Sequence, residues 1–101
     1  MKDAISMLIV IAPYKMKEKL VEGLHKADAL YLNVIYGEGS LNGSKLAHLF
    51  DFISEHQKVV LTGFIHNEKA DFIMDLLNNE FEFKERNTGF AFTIPVEKIS
   101  N

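Results

Sequence analysis

Residues Ile5-Ser6-Met7-Leu8-Ile9-Val10-Ile11 form a nearly unbroken aliphatic run that Ala12-Pro13 stops. A strand with one face in water alternates apolar and polar residues, so a run without alternation reads as a central strand buried on both faces. That restricts the chain to folds with a sheet whose middle is covered. Pro13 suits a first helical position, where its fixed φ fits and its missing N–H would be unpaired anyway. From Pro13 to Lys26, Met16, Leu20, Val21 and Leu24 recur at helical spacing while Lys15, Lys17, Glu18, Lys19 and Glu22 fill the other face. An amphipathic helix lying on the sheet is the expected result.

Leu30 to Tyr36 reads as a second strand, and Gly37-Glu38-Gly39 ends it with two residues free to adopt positive φ. After a polar loop, Ser44 suits the cap of a short helix whose Leu46, Leu49, Phe50 and Ile53 share one stripe. Phe52 lies off that stripe. Its position suggests a surface covered by a neighbouring subunit or partner, with a tucked loop helix as the alternative. Lys58 to Ile65 reads as a third strand, and Asn67 as the cap of a helix with Glu68 in its first turn and Ala70, Ile73, Met74 and Leu77 as its buried stripe. Phe81-Glu82-Phe83 and the turn Arg86-Asn87-Thr88-Gly89 lead into a last strand, Phe90 to Ile94, closed by Pro95.

Two right-handed βαβ crossovers of this size interleave into a four-stranded antiparallel sheet with both main helices on one face. The expected fold is therefore α+β: a ferredoxin-like βαββαβ split sandwich with an extra short helix between the second and third strands, one domain over residues 1–101. Its other face is left bare. In a chain of 101 residues with 48% hydrophobic content, other copies are the natural cover, in a symmetric closed oligomer.

Charge and composition narrow the function. A net charge of −3 disfavours the counterion release that drives nucleic-acid binding. With no cysteine, disulfides, thiolate zinc sites and thiol catalysis are excluded. The first apolar run is too short for a membrane span, so the cytoplasm is the expected location.

With these elements placed, the chain resembles the PII-like signalling proteins, the nitrogen regulatory protein P-II superfamily of ferredoxin-like trimers. The resemblance rests on the aliphatic first strand ending in Ala12-Pro13-Tyr14-Lys15, on Gly37-Glu38-Gly39 closing the second strand, and most specifically on Gly89-Phe90-Ala91-Phe92-Thr93-Ile94-Pro95-Val96-Glu97. It implies a homotrimer with a nucleotide in the cleft between subunits, an adenine nucleotide as effector, and a loop between the second and third strands that reaches a membrane transporter or enzyme. The cleft would then be formed by Gly37, Glu38 and Gly39 of one chain and Asn87, Thr88 and Gly89 of the next. There are departures. Phe90 stands where the family has a lysine, Lys98 is the one cation after the last strand, and Arg86 is the sole arginine. The Ser40 to Gln57 segment carries no tyrosine, so uridylylation does not transfer. The chain resembles a divergent branch of the superfamily.

The residues themselves lend partial support to a ligand site. Glycine-flanked turns leave backbone N–H groups uncovered, and such concavities bind phosphate or carboxylate, though both clusters also serve as simple turns. Lys58, Lys84, Arg86 and Lys98 are the cations available to an anion, arginine being best suited to a bidentate contact. Leu46, Leu49 and Phe52 are the candidate partner surface. Enzyme readings lack their residues: the loop after the first strand offers Lys15 and no arginine for an acylphosphatase-like reaction, His25, His48, His56 and His66 show no HExxH spacing, and the consecutive Ser54, Glu55 and His56 cannot converge as a triad. Two readings remain open, a ligand-sensing regulator without catalytic activity and a structural or adaptor trimer that has lost its ligand.

Overall fold

The computed structural model describes residues 4–37, 58–85 and 88–100. Among these residues four strands, β1 (Ile5–Pro13), β2 (Leu30–Gly37), β3 (Lys58–His66) and β4 (Phe90–Pro95), and two α-helices, α1 (Lys17–Lys26) and α2 (Ala70–Asn79), follow in the order β1-α1-β2-β3-α2-β4. The strands form one sheet in the order β2-β3-β1-β4, and all three pairings are antiparallel. This is the ferredoxin-like arrangement expected from the two crossovers. The extra helix expected between β2 and β3 lies outside the described residues.

The unalternating run becomes β1, paired on both sides and buried on both faces. Leu8, Val10 and Ala12 point to the helical layer, where they meet Leu20 and Leu24 of α1, Ile73 and Leu77 of α2, and Val59 and Leu61 of β3. Ile9 and Ile11 point the other way and pack with Met7, Val60, Phe90 and Phe92. Each fully buried aliphatic side chain in the first group contributes about 1.5–3 kcal/mol by leaving water. Among the described residues no helix lies over the second group. Along the same face Ile35, opposite Val60, and Ile94, opposite Met7, stay 54% and 48% exposed.

Several local features depart from the sequence expectation. Pro13 is not the first helical residue: it closes β1 opposite Lys58 and caps a 3-10 turn, Tyr14–Met16, from an extended conformation at φ −60 and ψ 143. Its missing N–H is as harmless there as at a first helical position. Asn67 does not cap the second helix either. Its side chain accepts a hydrogen bond from the hydroxyl of buried Ser6 on β1, and its N–H donates to the Ala4 carbonyl at 3.0 Å, so it ties the end of β3 to the start of β1. The polar groups of Ser6 need that partner more than the helix needs a cap.

The end of α1 is a Schellman turn with Asp28 in the left-handed region at φ 67, the Ala29 N–H reaching the Leu24 carbonyl at 3.0 Å and the Asp28 N–H reaching that of His25 at 3.1 Å. Between Leu30 and Asn33 the β2 ladder shifts register, with Tyr31 at φ 54. Gly63 on β3 accommodates this bulge: a Cβ there would stand 2.8 Å from Leu32 Cδ2 and 3.1 Å from the Leu30 carbonyl oxygen. No helix among the described residues is long and apolar enough to cross a membrane.

Candidate functional site

Strand direction decides which residues share an end of the sheet. β1 and β2 finish where β3 and β4 begin, so the Gly37 that ends β2, the Lys58 that starts β3 and the Pro13 that ends β1 stand in one cross-strand row. On the other side of β1 the ladder closes with Phe90 opposite Ile11, which leaves Gly89 just beyond the same end. Gly37 and Gly89, one from each glycine turn singled out in the sequence, therefore lie at one end of the sheet, together with Tyr14 and Lys15.

Lys58 is the charged member of this row. It is only 8% exposed, and by strand alternation it shares with Val60 the face of the sheet turned away from α1 and α2. Among the described residues no buried side-chain nitrogen or oxygen lacks a hydrogen-bond partner, so this burial does not strand the ammonium. The ion pairs between described residues, Lys26–Glu22 and Lys69–Asp28, involve other lysines.

Gly37 and Gly89 do not face one another within a chain. They belong to the two edges of the sheet, three strand spacings or about 14 Å apart. The other candidate cations also separate. Lys84 precedes β4 and donates to Asn79 Oδ1 at 3.3 Å. Lys98 follows β4, whose last residue, Pro95, pairs with Ser6 near the start of β1, so it belongs to the opposite end of the sheet from Lys58. Glu38, Gly39, Arg86 and Asn87, and the proposed partner surface of Leu46, Leu49 and Phe52, lie outside the described residues.

The turn before β4 has a structural explanation that the sequence did not show. Glu82, at φ 59, reverses the chain after α2, and the Phe83 N–H returns to the Leu77 carbonyl at 3.0 Å. Buried Phe83 then lies on Gly89, where a Cβ would overlap the ring. The Thr88 hydroxyl sits against the carbonyl oxygens of Glu82 and, at 2.9 Å, Glu85, which closes the turn. Phe90 and Phe92 share the sheet face turned away from α1 and α2 with ring centroids 5.8 Å apart, in keeping with a packing duty. The phenylalanines flanking Glu82 were the available signal, since large apolar rings just past a helix end gain by turning inward.

No model of a known protein family matches the sequence, and no curated protein matches it. Solved structures do. A protein of Thermus thermophilus described as PII-like signalling superposes with a TM-score of 0.67 at 18% identity, over 92% of this chain and 87% of that one. CPII of Thiomonas intermedia K12, solved with ADP, AMP and acetate, gives 0.67 at 17% identity over 92% and 86%. GlnK of B. subtilis in complex with ATP gives 0.62 at 14% identity over 95% and 84%. The chain has the PII-like ferredoxin fold.

Proposed function

We propose that the chain is a non-enzymatic PII-like regulator that binds a small anionic ligand where two copies meet and passes its occupancy to a partner protein. The observation that carries this reading is the row Gly37, Lys58, Pro13, which sets a buried lysine beside the glycine that ends β2. The cleft is shared between copies because Gly37 and Gly89 occupy opposite edges of one sheet. A threefold assembly through the apolar sheet face turned away from α1 and α2 brings the β2 edge of one copy toward the β4 edge of the next and covers Ile35 and Ile94. CPII with ADP, AMP and acetate, and GlnK with ATP, support an adenine nucleotide or a simple carboxylate as the ligand class. With Phe90 in place of a family lysine, the ligand is one that does not depend on a long polyphosphate. The target is a transporter or enzyme met by the Ser40 to Gln57 segment, and the site of action is the cytoplasm.

A second reading, a structural or adaptor trimer without ligand, is favoured by one specific observation. Gly89 is required by the Phe83 ring and Thr88 by the turn, so neither needs a ligand to explain it. Calorimetric titration with AMP, ADP, ATP and acetate, with and without magnesium, separates the two. The regulator binds AMP or acetate, and ATP with magnesium binds no tighter than AMP. Heat from none of them at millimolar concentration supports the adaptor.

A further inference from the structure

We draw no further inference here: the strongest candidate, the open cavity between α1 and β2 lined by Val21 and Val34 with Lys17, Glu18, Glu22 and Lys26 around them, mixes charges of both signs, and nothing among the described residues shows what covers it.

Discussion

The ring of Phe83 occupies the space that a side chain on Gly89 would need, with Cε1 and Cζ well inside contact distance of the position of a Cβ. Gly89 does not sit in the left-handed region, so the requirement for glycine is steric. Gly89→Ala is expected to destabilise the fold by about 1–3 kcal/mol, the usual cost of overpacking. In the double variant Phe83→Ala/Gly89→Ala the two costs should fall short of additive, because the methyl group enters the space the ring has left. Chemical denaturation of the three variants measures this, and strict additivity would mean that the ring does not rest on Gly89.

A charge pair at the other end of the sheet makes a pH prediction. Lys69 Nζ lies 2.6 Å from Asp28 Oδ2, and its hydrogen bond and charge hold the Asp28 carboxyl below its usual value, with His25 and His66 adding smaller effects in the same direction. A carboxyl depressed in the folded state stabilises the fold above its unfolded pKa of about 3.9, and the contribution is lost as pH falls through the folded value. Asp28→Asn keeps a residue tolerant of positive φ. Its melting temperature is expected to lie slightly below wild type near neutral pH and to converge with it in acid. The gap should be small and narrow with salt, since the pair is exposed. A gap independent of pH would place its origin elsewhere.

Ile35 and Ile94, exposed on the sheet face turned away from α1 and α2, predict self-association. Ile35→Glu/Ile94→Glu alters two side chains that a single chain leaves about half exposed, so the monomer should still fold while the assembly dissociates. Analytical ultracentrifugation is expected to show a trimer for wild type and a monomer with an unchanged circular dichroism spectrum for the variant. A wild-type monomer at micromolar concentration would remove the threefold assembly.

The sheet was legible because burial on both faces leaves a mark in composition: nothing but a central strand explains seven residues from Ile5 to Ile11 with Ser6 as their sole polar member. The helices were legible through their stripes, down to Leu20, Leu24, Ile73 and Leu77. What escaped depends on contacts between distant residues. Pro13 and Asn67 each fit two local roles, and the partners Lys58 and Ser6, far away in sequence, decide between them. Gly63 reads as a weak strand residue until the β2 bulge is seen against it. At the site, Gly37 and Gly89 were visible as turn residues, but their placement on opposite edges of one sheet end follows from strand order and register alone.

The central claim, a small anion bound where two copies meet, is tested most directly by titrating AMP calorimetrically into wild type and into Ile35→Glu/Ile94→Glu. Identical clefts around a threefold axis predict one AMP for each chain of the wild type. In the dissociated variant, folded but with each half of the cleft alone, affinity should fall by more than about tenfold, a loss above about 1.4 kcal/mol. Unchanged affinity in a folded monomer would contradict a shared site, and no binding of AMP, ADP or acetate to the wild-type trimer would contradict ligand sensing itself.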